Sequence, residues 1–256
     1  MKFSWVNPRQ VPLIVAHRGS SAIAPENTIA AFKQAIADGA NAIELDIHLT
    51  KDDEIVVIHD SRLNRTTNGA GLVRDQNISE LKQLDAGSWF HQKFADEKIP
   101  TLAEVFAVIR NKIGIDIEIK TNHACKQKLL IVDRCVELIE SFRLINNVII
   151  SSFHHTFIKR VKELNPQITT GFLCSRVQQL IMSPISLALS IGAKYLILGG
   201  SMIGKRIIDD AHEKQLLVGE YTIDTERRAR RAQRFGIDAV ITNNPGRFKE
   251  LLPIKK

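Results

Sequence analysis

The sequence predicts a single TIM-type (β/α)8 barrel of the α/β class. Three observations carry this reading. Short β-branched runs alternate with amphipathic stretches from one end of the chain to the other, the pattern of a parallel sheet with crossover helices. The length, 256 residues, is close to the ~250 of one such barrel. Finally, one of nine strand candidates follows its predecessor too closely for a parallel crossover, and removing it leaves eight.

In chain order, the first strand is expected near 12–17, followed by a helix that Asn27 or Thr28 can cap. Ile29, Phe32 and Ile36 form the buried stripe of that helix, and Gly39 lies just past its end. The second strand is expected at 41–48 and the next apolar run at 54–59. Only Thr50 to Glu54 separate Leu49 from Ile55, so this run returns antiparallel as a hairpin. A turn centred on Asp52-Asp53 would place His59 opposite Asp46. The segment 60–100 fits no strand–helix repeat. It starts polar, offers a short helix near 78–84 and carries Trp89, Phe90 and Phe94, which together suggest an insertion over the barrel mouth. After Pro100, Thr101 and Glu104 form a capping box for the next helix. The remaining strands are expected near 114–119, 147–151, 169–173, 194–198, 216–222 and 238–242. No repeat or linker divides the chain, so 1–256 reads as one domain.

Composition narrows the class. Hydrophobic residues make up 44% and charged residues 25%, as in a globular protein. No run reaches the ~18 apolar residues of a membrane span. The N-terminus does not read as a secretory signal, because Pro8, Arg9, Gln10 and Pro12 interrupt it and the run from Val11 to Ala16 is short. Cys125, Cys135 and Cys174 form no close pair, which suggests a reduced, cytoplasmic protein. The net charge of +7 includes Arg227, Arg228, Arg230, Arg231 and Arg234. No aromatic residues interleave with that run, so it reads as the solvated face of a surface helix with no nucleic-acid partner. General positive charge still suits anionic substrates.

The chemistry lies on two strands. From Ala42 to Leu49, Ile43, Leu45, Ile47 and Leu49 share one face, and Glu44, Asp46 and His48 share the other. From Ile113 to Lys120, the isoleucines again face one way, and Asp116, Glu118 and Lys120 the other. In a barrel the apolar face packs on the outer helices, so the acids point inward. Buried carboxylates are costly unless paired or bound to metal. Two inward acidic strands therefore suggest a cation site; the alternative is a salt-bridge network with Lys120 or Arg18. Carboxylate ligation points to Mg²⁺ or Ca²⁺. His17 ends the first strand and His59 ends the hairpin return, converging on these acids. A histidine pair can act as general acid and base near neutral pH, and Arg18 and Lys120 supply charge suited to phosphate. His91, His123, His154, His155 and His212 lack such companions.

The ordered set His17-Arg18-Gly19-Ser20, Pro25-Glu26-Asn27-Thr28, Glu44-Leu45-Asp46, His59-Asp60 and Glu118-Ile119-Lys120 resembles the glycerophosphodiester phosphodiesterases. Arg65-Thr66-Thr67-Asn68-Gly69 and Ile99-Pro100-Thr101-Leu102 look like that family's insertion, and Ser151-Ser152-Phe153 and Ile241-Thr242-Asn243 match later motifs. Each motif is weak alone; the ordered set is specific and covers nearly the whole chain. The resemblance implies a TIM barrel, one divalent cation, and hydrolysis of small glycerophosphodiesters to glycerol 3-phosphate and an alcohol. It implies Glu44, Asp46 and Glu118 as metal ligands, His17 and His59 as the acid–base pair, and Arg18, Lys120, Phe153 and Tyr221 as substrate contacts. The family often carries Trp where Tyr221 stands, which bears on specificity. Glu26 is assigned only to the start of the first helix. The competing readings are a related barrel phospholipase of the sphingomyelinase D kind and a non-catalytic barrel that binds an anionic partner.

Overall fold

A computed structural model describes residues 3–8, 12–109, 112–120, 129–175, 177–178, 183–200 and 203–251. Cys125 and His123 lie outside the described residues. The strands are β1 (Leu13–His17), β2 (Ala42–Leu49), β3 (Ile55–Val57), β4 (Gly114–Ile119), β5 (Val148–Ser152), β6 (Thr169–Cys174), β7 (Tyr195–Gly199), β8 (Leu217–Tyr221) and β9 (Ala239–Thr242). Their order is β1-β9-β8-β7-β6-β5-β4-β2-β3, and a further β1–β2 pairing closes the ring. Eight parallel strands thus form the barrel, and β3 pairs antiparallel outside it.

The hairpin register differs from the expected one by a single residue. Ile47 faces Val57 and Leu49 faces Ile55. Asp46 O accepts from Ile58 N at 2.9 Å, so Ile58, not His59, stands opposite Asp46. The cause is a five-residue turn centred on Asp52 alone. Thr50 N donates to Glu54 O at 3.0 Å, Glu54 N donates back to Thr50 Oγ1 at 3.0 Å, and Asp53 takes φ +60°.

Helix caps follow the sequence. Helix α1 (Ile29–Ala37) is capped by Thr28, whose side chain accepts from Ala31 N at 3.3 Å. Asn27 is not the cap; it sits at φ +59° with its side chain turned toward β2. In the insertion, the helix expected near 78–84 is one turn, α2 (Ile78–Leu81), started by Asn77 and Glu80. The capping box of α3 (Leu102–Ile109) is formed by Thr101 N to Glu104 Oε2 at 2.8 Å and Glu104 N to Thr101 Oγ1 at 3.2 Å.

Strand alternation sorts the side chains into layers. Ile43, Leu45, Ile47, Ile115, Ile117 and Ile119 face outward and pack with Phe32 and Phe106 of the surrounding helices. Val15, Ile149, Leu173, Tyr195, Ile197 and Ile241 fill the barrel interior below the acids. Val56 and Ile58 begin a separate small core of the insertion with Leu63, Val73, Leu81 and Ile99.

The residues before β1 close the barrel floor. Trp5 is 3% exposed; its Nε1 donates to Asn147 O at 3.0 Å, and its carbonyl accepts from Tyr195 Oη at 2.6 Å. Phe3 packs edge-on against Trp5 at 5.2 Å, and a Cβ on Gly114 would fall 2.4 Å from the Phe3 ring. A side chain at 114 would therefore push the Phe3 ring aside. Trp5→Ala should destabilise the protein by about 3–5 kcal/mol. Urea unfolding checks this; an unchanged midpoint would show that the plug contributes nothing.

The arginine run lies on α8 (Glu226–Phe235), since α4 to α7 (Leu130–Ser141, His155–Leu164, Pro184–Ser190, Lys205–Glu213) precede it. It is only partly a solvated face. Arg228 Nη2 at 3.0 Å and Arg231 Nη2 both reach the fully buried Glu220 of β8, and Arg230 pairs with Glu226. Cys135 and Cys174 are free and buried. Among the described residues, no helix is long and apolar enough to cross a membrane.

Candidate active site

The parallel register sets Glu44 beside Asp116 and Asp46 beside Glu118. All four carboxylates are buried at the C-terminal end of the barrel. One oxygen from each of Glu44, Asp46 and Glu118 lies within 4.8 Å of the others. Asp116 instead accepts a 2.7 Å bond from Ser151 Oγ.

Burial and crowding decide the protonation of this group. Burial, then the charges of Asp46 and Glu118, push Glu44 well above the usual carboxylate range. Burial and Asp46 push Glu118 up to about 7, and burial pushes Asp116 up to about 7. Burial acts on Asp46 in the same sense, but Lys120 and Arg18 overcome it and hold its carboxyl far below the usual range. Lys120 Nζ lies 2.9 Å from Asp46 Oδ1 and donates to Glu118 Oε1 at 2.6 Å. Arg18 N donates to Glu44 Oε2 at 2.9 Å, and its Nε lies 3.3 Å from Asp46 Oδ2. Asn27 Nδ2 donates to the same Asp46 oxygen at 2.8 Å. Glu44 Oε1 is buried without a hydrogen-bond partner. An orphaned carboxylate oxygen beside two other converging carboxylates fits a hard divalent cation.

The two histidines flank this cluster with unlike partners. His17, on the inner face of β1 beside Glu44, binds Asn243 Oδ1 through Nδ1 at 2.7 Å. Asn243 Nδ2 donates to Asp224 Oδ2 at 2.7 Å, which fixes the amide orientation and makes His17 Nδ1 the donor. His59 Nδ1 donates to the Asp60 carboxylate at 2.6 Å. Burial lowers the pKa of both, assisted by the Arg18 charge at His17 and by Lys120 and Arg18 at His59, where Asp46 opposes. In each case Nδ1 is engaged and Nε2 remains for a ligand.

A chain of charges joins the two sides. Arg65 Nε donates to Asp60 Oδ2 at 2.6 Å, and its two Nη atoms fork onto Glu26 at 2.8 and 2.7 Å. Arg18 Nη1 meets Glu26 Oε1 at 2.9 Å. Glu26 therefore does not serve the start of α1, as the sequence suggested; it links Arg18 to the insertion. Sequence reasoning noted Asp60, Arg65 and Asn243 only as members of motifs and gave them, and Asp224, no role in the site. His59-Asp60 adjacency was the one usable signal; the other partners stand far apart in the chain. His48, expected on the acidic face, binds the carbonyl of His59 at 3.0 Å and so fixes the backbone there.

Two cavities open on either side. One of about 480 Å³ is lined by His59, Arg62, Glu118, Lys120 and Phe153, and also by His154, which the sequence gave no role. The other, of about 470 Å³, is lined by His17, Ser21, Asp224, Asn244 and Arg247. Phe153 meets Tyr221 edge-on, with centroids 6.3 Å apart, so both rings stand together at the rim. All nine residues singled out in the sequence are thus at the same end of the barrel.

Comparison with known proteins agrees with this geometry. A family model described as "Glycerophosphoryl diester phosphodiesterase family" matches residues 17–247. The chain is 39% identical over 234 residues to a glycerophosphodiester phosphodiesterase of Caldanaerobacter subterraneus subsp. tengcongensis, covering 91% of this chain and 94% of that one. It is 34% identical over 236 residues to one from Bacillus altitudinis, covering 91% and 95%. Among solved structures, it resembles an Oleispira antarctica phosphodiesterase in complex with the product sn-glycerol-3-phosphate. The two share 31% identity with a TM-score of 0.85, over 94% of this chain and 96% of that one. With the matched model spanning nearly the whole barrel, including both histidines and all three converging carboxylates, the chain belongs to the glycerophosphoryl diester phosphodiesterase family.

Proposed function

We propose that this protein hydrolyses small glycerophosphodiesters to glycerol 3-phosphate and an alcohol, with His17 and His59 as the acid–base pair and one divalent cation held by Glu44, Asp46 and Glu118. The single observation that carries the reading is the convergence of these three buried carboxylates, within 4.8 Å of one another, between two histidines whose Nδ1 atoms are both anchored.

A divalent cation held by Glu44, Asp46 and Glu118, Mg²⁺ or Ca²⁺, would supply Lewis-acid stabilisation of charge growing on the phosphoryl oxygens. Arg18 and Lys120 add fixed positive charge at the same place and cost no reorganisation during the reaction. The unlike partners of the histidines divide the labour. The Asp60 carboxylate stabilises an imidazolium at His59, so His59 takes the proton from the nucleophile, either water or a glycerol hydroxyl whose cyclic phosphate product water then opens. His17 faces only the neutral Asn243 amide and lies beside the Arg18 cation, so its imidazolium gives up a proton readily to the departing alkoxide. Phe153 and Tyr221 form the apolar wall against the carbon skeleton of the substrate. All five central residues are in place, which favours this reading over a non-catalytic barrel, and the family match favours it over a sphingomyelinase D-like enzyme.

A product assay tests the proposal. Deacylated glycerophosphodiesters should release glycerol 3-phosphate, excess chelator should stop the release, and Mg²⁺ or Ca²⁺ should restore it. Intact phospholipid in vesicles should be a poor substrate; a strong preference for vesicles would overturn the small-substrate assignment.

The carboxylate environment also sets a pH dependence for the cation. Glu118 titrates near pH 7, and Glu44 is shifted in the same direction. Protons therefore compete with the cation increasingly as pH falls through 7. Mg²⁺ affinity measured by calorimetry should weaken from pH 8 to pH 6, by up to about tenfold per pH unit for each proton displaced. An affinity constant across that range would argue against ligation by these raised carboxyls.

A further inference from the structure

Every polar group of Asn243 is engaged, and one carboxylate decides how. Asn243 follows β9, which lies between β8 and β1 in the ring, so the loop after β8 and the end of β1 reach it from opposite sides. Ile223 N donates to Ile241 O at 2.8 Å, which lays that loop along β9 and brings Asp224 to Asn243. Asp224 Oδ1 accepts from Asn243 N at 2.9 Å and from Thr242 Oγ1 at 3.1 Å, and Asp224 Oδ2 accepts from Asn243 Nδ2 at 2.7 Å. Asn243 O accepts from Ala22 N at 3.0 Å. Asn243 Oδ1 is left for His17 Nδ1 at 2.7 Å, and Ser21 Oγ lies 2.9 Å from the same oxygen.

A carboxylate accepts hydrogen bonds and donates none, whereas an amide has one end of each kind. Asp224 therefore admits only the Nδ2 end of Asn243. The Oδ1 end must face His17, and the ring must carry a proton on Nδ1. In the neutral ring this leaves a lone pair on Nε2; in the imidazolium Asn243 Oδ1 still accepts from Nδ1. A reversed amide would set Nδ2 against Nδ1, oppose the imidazolium and keep the neutral proton on Nε2. A ring in that state has no lone pair at Nε2 to receive a proton, and releases one far less readily than an imidazolium does.

We propose that Asp224 is a positioning residue for the reaction: acting through Asn243, it holds His17 in the tautomer whose Nε2 exchanges a proton with the substrate. The role rests on the hydrolase reading above and holds whichever of the two histidines is the acid.

Asp224→Asn tests this with the least change of shape. An amide at 224 sets a donor against either Asn243 N or Asn243 Nδ2, and the second conflict is relieved when the Asn243 amide turns over. Asp224 is exposed, so the variant should fold, which thermal melting checks. On glycerophosphoglycerol, kcat should fall by about 10²-fold, the lower end of losing a general acid or base, with KM within about twofold. Nitrogen-15 spectra of histidine-labelled protein at alkaline pH should show the His17 proton move from Nδ1 to Nε2. In a His17→Ala background the same substitution should cost no more than about twofold, since residues that act as a unit are not additive. A merely structural defect would lower both backgrounds alike. A rise in KM with kcat preserved would make Asp224 a substrate contact and overturn the role. An unchanged kcat, a proton that stays on Nδ1, or an equal loss without His17 would overturn it too. No release of glycerol 3-phosphate by the wild type would instead bring down the hydrolase reading, and the role with it.

Discussion

His17→Ala and His59→Ala are each expected to lower kcat on a glycerophosphodiester by about 10²–10⁴-fold, the scale of losing a general acid or base. Metal content should stay near that of the wild type, because neither imidazole belongs to the converging carboxylate set. The two variants should then separate on a substrate with an activated leaving group. A nitrophenolate needs little protonation as it departs. Its phosphodiester should therefore rescue His17→Ala, which lacks the acid, and leave His59→Ala slow. The prediction follows from the partners: a carboxylate behind His59 at 2.6 Å, and a neutral amide behind His17 at 2.7 Å. Rescue of His59→Ala alone would exchange the two roles. Near-normal turnover of both variants on the glycerophosphodiester would end the acid–base reading of this site.

Removing a cluster carboxylate should be as damaging, by a different route. Glu44→Gln, Asp46→Asn and Glu118→Gln each keep the shape of the side chain and delete its charge. Each should reduce cation affinity and activity together, with partial recovery at high Mg²⁺ or Ca²⁺. Asp46→Asn should be the most severe. Asp46 alone faces Arg18, Asn27 and Lys120 at once, so its loss also takes one carboxylate partner from each of two half-buried cations. Glu44→Gln should disturb the fold least, because Glu44 Oε1 has no protein partner to lose. Metal analysis and calorimetry on the three variants check this order. Full activity of any of them at low metal would remove that residue from the ligand set.

The strands were legible in the sequence because their alternation is strict. Ile43 to Leu49 and Ile113 to Lys120 declare an apolar face and an acidic face, and burial then forces the acids inward. The hairpin was legible as a hairpin but not in its register. A five-residue turn can place its left-handed residue in more than one way, and Asp53 adopts that conformation through local hydrogen bonds rather than through any pattern in composition. The charged residues behind the histidines were the hardest to read. Asn243 stands 226 positions from His17, and Arg65 stands 39 from Glu26. Nothing periodic links such pairs; only ring closure brings β9 beside β1 and lays the insertion against the loop after β1. Trp5 was missed for the same reason, since its partners Asn147 and Tyr195 meet only once the barrel has closed.

The fork of Arg65 onto Glu26 and Asp60 has an implication for how this scaffold can be re-engineered. Barrel loops are commonly treated as interchangeable parts on a rigid frame. Here the segment after His59 is fastened to the loop after β1 by an arginine that both need, and the same glutamate orients Arg18. A graft that imports a foreign segment without an equivalent of Arg65 would leave Glu26 held by Arg18 alone and Asp60 by His59 alone. Glu26, the outer anchor of Arg18, would then lose its tie to the insertion, although no residue near the carboxylates had been changed. The unit that can be transplanted is the pair of loops together with their shared arginine.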